Sequence, residues 1–209
     1  GLRLVLGHPA GRADGTAPVA AADRSVQDRR VLNAASVLGD GAVLARHVKR
    51  ELPNYQVFDE RRYFVSGREL ALETATFEVS GLRLGLLICE DAWFAEPAER
   101  AASAGAQALL VLNASPFHLG KGAEREARMA ERARACGLPL LYAHMVGGQD
   151  ELVFDGASFA LDAQGRCQAR APAFEACDWP LQLHGAGAGA RWEGSLAPHD
   201  DEDASLWKA

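Results

Sequence analysis

Apolar residues fall at alternate positions, or in short unbroken runs, through most of this chain, and they read mainly as strands. Leu2 to Leu6 is the first, closed by Gly7-His8-Pro9. A Gly/Ala/Asp-rich loop follows from Gly11 to Asp28. Arg30 to Val37 and Ala42 to Val48 flank Gly39-Asp40-Gly41, which predicts a tight hairpin. Ala75 to Val79 turns through Ser80-Gly81 into a stronger strand. There Leu82, Leu84, Leu86 and Ile88 keep period two while Leu87 fills the intervening position, the pattern of a strand buried on both faces. Gln107 to Asn113, Leu138 to Met145, Ala157 to Leu161 and Arg166 to Arg170 complete the set, the last two joined by a turn at Asp162 to Gly165.

Helical signals are fewer. Glu96-Pro97 opens one helix, which runs to about Ala104 and is capped by Gly105. Ala123 to Cys136 is a second, with Ala123, Ala127, Ala130 and Ala133 on one face and Glu124 and Arg128 forming an i, i+4 pair on the other. Gly137 and Pro139 stop it. Two stretches lack a period yet are rich in side chains that do chemistry: Leu52 to Phe64 and Ser115 to Gly122. Both read as ordered functional loops. From Pro180 the composition shifts to Gly/Ala and then to acid, which reads as a tail or linker. Hairpins with interleaved helices indicate an α/β layered domain.

Bulk properties narrow the function classes. The chain has 209 residues, 48% hydrophobic and 24% charged, with a formal net charge of -6. It is long enough for one sizeable core. No basic run invites nucleic acid or an anionic membrane, and no apolar stretch reaches the length of a membrane span. The four cysteines, Cys89, Cys136, Cys167 and Cys177, have irregular spacings, so neither a zinc site nor a disulfide framework is indicated. A reducing, cytoplasmic setting fits them.

Chemistry concentrates where the strongest strand ends. Cys89 closes an apolar run and is followed at once by Glu90 and Asp91. Alone, a cysteine there is most often a packing residue. A rigid strand tip opening onto a turn is also where a nucleophile can be held. A thiol needs a neighbouring base or ammonium to become reactive at neutral pH. Lys49, just past the third strand, can supply the ammonium, lower the thiol pKa and hold a developing oxyanion together with the Glu90 N–H.

The segments VKRELPNYQVFDERRYF from Val48, LLICEDAWF from Leu86, NASPFHLGK from Asn113 and VGGQDELVFDG from Val146, with Ala171 to Phe174, resemble the nitrilase superfamily. More narrowly they resemble the glutamine-hydrolysing domain of glutamine-dependent NAD+ synthetases. The resemblance implies an α-β-β-α sandwich, incomplete on its N-terminal side, over residues 1–178, with 179–209 leading toward a separate synthetase domain. It implies a Glu–Lys–Cys triad in which Cys89 attacks the glutamine amide, Lys49 is the lysine, and Glu60 is a second, supporting glutamate. Tyr55, Glu90, Trp93, Ser115 and Lys121 match positions that contact glutamine, with Lys121 facing the substrate carboxylate. No cofactor is implied for this domain. ATP and Mg2+ are implied for the synthetase domain, and a homo-oligomer for the whole.

The departure from the family lies upstream. Before Lys49 the acids are Asp14, Asp23, Asp28 and Asp40, with no glutamate and no FPE-type motif to supply the general base. Gly1 matches the middle of the family's domain. The chain is therefore expected to lack the first third of the fold, to be poorly active alone, and to expose apolar surface where strands are missing. Two other classes stand beside glutamine hydrolysis: a free-standing amidase or carbamoylase, and a binding or assembly remnant. A Cys/His pair using His118 or His144 is conceivable, but nothing suggests an Asn or Asp to orient it.

Overall fold

The computed structural model describes residues 1–11 and 31–209. The expected Gly/Ala/Asp-rich loop, with Asp14, Asp23 and Asp28, and the first residue of the second strand lie outside the described residues. A three-stranded antiparallel sheet comes first, from β1 (Leu4–Ala10), β2 (Leu32–Gly39) and β3 (Ala42–Val48) in the order β1-β2-β3. Asp40 and Gly41 both have positive φ at the β2–β3 turn, as a tight hairpin requires. The first strand does not stop at Gly7-His8-Pro9. It continues to Ala10, with Pro9 opposite Asn33, because β1 is an edge strand and an edge tolerates a missing N–H.

A six-stranded sheet holds β4 (Thr76–Val79), β5 (Leu82–Ile88), β6 (Ala108–Asn113), β7 (Leu140–His144), β10 (Phe159–Leu161) and β11 (Cys167–Arg170), in the order β11-β10-β7-β6-β5-β4. Its centre, β5-β6-β7, is parallel, as the two-sided apolar runs predicted. A short hairpin, β8 (Val146–Gln149) with β9 (Leu152–Asp155), stands apart.

The layers follow from which faces are apolar. Ala35 and Val37 of β2 pack on Phe77, Leu84, Leu86 and Ile88, so the smaller sheet covers one face of the larger. Helices α2 (Ala95–Ser103) and α3 (Lys121–Cys136) cover the other, burying Ala98, Ala101, Met129 and Ala133 against Leu87, Leu109, Val111, Leu140 and Tyr142. The result is an α-β-β arrangement, a mixed α/β fold of the sandwich type expected. The far side of the three-stranded sheet is apolar and open: Leu4, Leu6, Val43 and Leu44 are 54, 49, 52 and 45% exposed.

Two details differ from the sequence reading. On α3 the buried residues are Arg125, Met129, Ala130, Arg132 and Ala133, so Ala130 and Ala133 of the expected face are buried while Ala123 and Ala127 are exposed. Glu124 pairs with Lys121 and Arg128 with Glu131, rather than with each other. The stretch from Pro180 also folds in part. β12 (Gln182–His184) and β13 (Arg191–Glu193) form a hairpin, and Trp192 packs with Ala160 and Ala169. Helix α4 (Glu202–Lys208) follows, N-capped by Asp201, whose side chain accepts from the Ala204 N–H. The acids there cap and charge a helix start, which composition alone does not separate from a solvated tail. Among the described residues no helix is long and apolar enough to cross a membrane.

Candidate active site

The site sits beyond the carboxyl ends of β5 and β6, where open parallel sheets place their ligands. Cys89 follows β5 directly and opens a 3-10 turn that runs to Trp93. Its φ is +46°, a left-handed conformation that is strained for any side-chain-bearing residue and is retained when the surroundings fix it. Asp91 does much of that fixing. Fully buried, it accepts hydrogen bonds from the Ile88 N–H at 3.1 Å, the Arg50 and Glu51 N–H groups at 2.9 Å each, and His47 Nε2 at 2.9 Å. One carboxylate thus ties the end of the nucleophile strand to the segment on either side of Lys49.

Lys49 is 2% exposed, and its Nζ lies 2.6 Å from Glu60 Oε1. Asn33 donates to the other oxygen of Glu60 at 3.3 Å. The backbone at Lys49 is pinned twice, its N–H to Asn33 O and its carbonyl to the Gly67 N–H, each at 2.8 Å. Gly67 has to be glycine for this approach, since a Cβ there would lie 2.6 Å from Val48 O. Glu60 opens the four-residue helix α1 (Glu60–Tyr63) within the expected Leu52–Phe64 loop.

Electrostatic effects on the thiol run in both directions. Burial pushes the Cys89 thiol above its ordinary value, and the pull of Lys49 in the opposite direction does not overcome it. The Ala114 N–H also favours the thiolate, while the Glu90 and Glu60 carboxylates oppose it. Lys49 thus lowers the thiol pKa as expected, but by less than burial raises it. Lys49 and the supporting glutamate, Glu60, are therefore close enough to act on Cys89.

A cavity of about 230 Å³ opens over the thiol. Tyr55, Cys89, Glu90, Trp93, Ser115 and Lys121 all line it, so the expected contact residues converge from the Leu52 loop, the 3-10 turn, the Ser115 loop and the start of α3. Lys49 and Glu60 stand behind this wall. Tyr55 donates to both oxygens of Glu90, at 3.0 and 3.2 Å. Burial, with the Glu90 charge, pushes Tyr55 up to about 12. Burial also raises Glu90, against the favourable hydrogen bond from Tyr55. Lys121 Nζ stacks 4.3 Å from the centre of the Trp93 ring and pairs with Glu124 at 2.9 Å. The cavity thus gathers a thiol, a carboxylate and an ammonium in its lining.

Three buried groups without a signal in the local sequence hold the Ser115 loop. Arg125 bonds Asp155 at 2.7 Å and the carbonyls of Ser115 and Pro116 at 2.8 and 3.1 Å. His144 accepts from the Ser115 N–H at 3.0 Å and meets Gly156 O at 2.8 Å. With Nδ1 donating to Gly156 and Nε2 accepting, this is a neutral ring, consistent with burial and the Arg125 charge lowering it to about 4. His144 is therefore occupied as a loop anchor. His118 lines the cavity rim, its Nδ1 bonded to Leu119 O.

The family model described as carbon-nitrogen hydrolase matches residues 13–185. The chain belongs to the carbon-nitrogen hydrolase family. As a carbon-nitrogen hydrolase it is similar to the glutamine-dependent NAD(+) synthetase of Xanthomonas campestris, 46% identical over 86% of the chain and 32% of that protein. It is similar too to the one from Xylella fastidiosa, 52% identical over 69% of the chain and 26% of that protein. Among solved structures, the glutamine-dependent NAD+ synthetase of Acinetobacter baumannii in complex with ADP superposes with a TM-score of 0.71 at 36% identity, over 83% of this chain and 30% of that one. A mutant of the Nesterenkonia amidase from the nitrilase superfamily gives 0.66 at 26% identity, over 82% and 58%. This carbon-nitrogen hydrolase spans about a third of the length of the first relatives it matches.

Proposed function

We propose that this chain is the amide-cleaving part of a glutamine-dependent NAD+ synthetase, releasing ammonia from glutamine through a thioester on Cys89. In this reading the sulfur attacks the side-chain carbonyl carbon. The oxyanion is held by Lys49 and the Glu90 N–H, and the C–N bond breaks as the nitrogen takes a proton and leaves as ammonia. Water then cleaves the thioester, giving glutamate and the free thiol. Glu60 holds Lys49 in place. Tyr55, Glu90, Trp93, Ser115 and Lys121 bind the substrate, with Lys121 toward its carboxylate. The ammonia serves ATP- and Mg2+-dependent conversion of deamido-NAD+ to NAD+ in a synthetase domain of a longer, oligomeric, cytoplasmic protein. Residues 1–178 form the hydrolase part, and 179–209 lead toward that domain.

The observation that carries the glutamine reading is the placement of a cation, Lys121, and a carboxylate, Glu90, around one cavity with the thiol. A simple aliphatic amide has no charge to exchange for the Glu124 and Tyr55 partners that Lys121 and Glu90 already hold. On this reading the chain by itself is slow. The thiol is raised by burial, and of the carboxylates acting on it Glu60 is held by Lys49 and Glu90 by Tyr55. Where no carboxylate is free to take the proton, transfer loses about 10²–10⁴-fold.

Ammonia release from L-glutamine by the purified chain tests this. The expected result is slow release, absent in Cys89→Ala and faster with glutamine than with butyramide. Release at ordinary enzymatic rates would refute the missing base, and a preference for butyramide would favour an amidase of the kind seen in Nesterenkonia.

A further inference from the structure

We propose that Glu124 is a specificity-determining residue: an internal competitor for the Lys121 ammonium that a ligand carboxylate has to displace. The proposal rests on the glutamine reading above and concerns which amides can enter that site.

The geometry around Lys121 is asymmetric. One side of the ammonium lies against the Trp93 ring, 4.3 Å from its centre, with the Arg128 guanidinium also near that ring at 5.9 Å. That contact belongs to the wall of the cavity and cannot leave. The other partner is the Glu124 carboxylate at 2.9 Å, one turn further along α3. The Lys121 side chain is 18% exposed, whereas that of Glu124 is 47% exposed. The cation is therefore enclosed and fixed, and its counterion is a flexible side chain at the solvent edge. Glu124 also reaches the chemistry of the site, because its charge raises the Tyr55 phenol on the facing wall.

An amide without a second charge has no reason to break this pair. A ligand carrying a carboxylate can exchange with Glu124 at little loss, since one charge-assisted bond replaces another and Glu124 regains water. Glu124 thereby weakens carboxylate-bearing ligands modestly while keeping the cation from standing bare in the empty cavity. An exposed ion pair of this type sets the size of the effect, roughly two- to fivefold in affinity.

The test uses the whole chain and protection of Cys89 from iodoacetamide, read by mass spectrometry of the Cys89 peptide. Protection constants are measured for L-glutamine and for L-glutaminamide, which keeps the side-chain amide and the α-amino group but lacks the carboxylate charge. In Glu124→Gln, L-glutamine should protect at about two- to fivefold lower concentration, while L-glutaminamide protection stays unchanged. Glu124→Ala should behave the same way, which separates lost charge from a new amide contact. An unchanged constant for L-glutamine, an equal change for both ligands, or weaker protection by L-glutamine would overturn the proposal; the last would instead place Glu124 on the substrate ammonium. If L-glutamine fails to protect the wild-type protein at all, the glutamine reading itself falls, and this proposal with it.

Discussion

Asp91→Asn is the substitution that most directly separates a positioned site from a merely adjacent set of residues. Asp91 is fully buried and accepts four hydrogen bonds, three from backbone N–H groups and one from His47. Asparagine keeps the shape but replaces one acceptor oxygen with an NH2 donor. If its oxygen stays with Arg50 and Glu51, the NH2 faces the Ile88 N–H and His47. His47 can answer by changing tautomer only if it gives up the Ala75 N–H at 3.4 Å, and the Ile88 N–H has no substitute. One to two buried donors are left unpaired, each worth about 1–3 kcal/mol, so the loss should be about 2–4 kcal/mol. The assay is urea unfolding followed by tryptophan fluorescence, with the midpoint and slope both read. Because Ile88 precedes the strained Cys89, iodoacetamide labelling of Cys89 should change along with stability. A variant within ~0.5 kcal/mol of wild type, with unaltered labelling, would refute the clamp and leave Asp91 as a passive core group.

Three further outcomes are expected. Gly67→Ala places a Cβ 2.6 Å from Val48 O, and neither atom belongs to a flexible side chain; the chain should lose about 1–3 kcal/mol in the same unfolding assay. Because burial raises the Cys89 thiol and the thiolate is the reactive form, iodoacetamide labelling of Cys89 should still be rising above pH 9, and a plateau below pH 8 would contradict the electrostatic account. His144 is lowered from 6.5 to about 4, so the fold favours its neutral form. That contribution is complete above the unfolded value and is lost as pH falls from about 6.5 toward 4, by up to ~3 kcal/mol. Comparing the pH dependence of unfolding in wild type and His144→Asn isolates it, and identical slopes would exclude it.

Much of this is legible in the chain because strand alternation and two-sided apolar runs are local signals. The β2–β3 hairpin, the parallel centre and the placing of Cys89 at a strand tip all come from residues within one element. Features that depend on partners far along the chain are not legible. Arg125 sits among charged and small residues that look like a solvated helix, yet Asp155 and the Ser115 carbonyl, 30 and 10 residues away, draw it into the core. Asp91 reads as one more acid after the nucleophile until His47 and Arg50 arrive from 44 and 41 residues upstream. The hairpin of β8 and β9 stands out as a motif rather than as strands, because Gly147 and Gly148 interrupt its apolar pattern. The nearness of Lys49 to the thiol follows from its motif, but its pairing with Glu60 and the burial that outweighs its pull need the three-dimensional arrangement.

The proposed chemistry requires the Lys49 ammonium to act on the Cys89 thiol, which lines the cavity. The rate at which 6-diazo-5-oxo-L-norleucine, a glutamine-like electrophile, alkylates each cysteine tests it most directly, in wild type and in Lys49→Met, with unfolding midpoints confirming that both are folded. The account predicts saturable modification of Cys89 ahead of Cys136, Cys167 and Cys177, and slower modification in Lys49→Met, where the thiolate loses the ammonium that favours it. Modification of Cys89 at the same rate in a folded Lys49→Met protein, or no preference for Cys89 over the other three thiols, would contradict it.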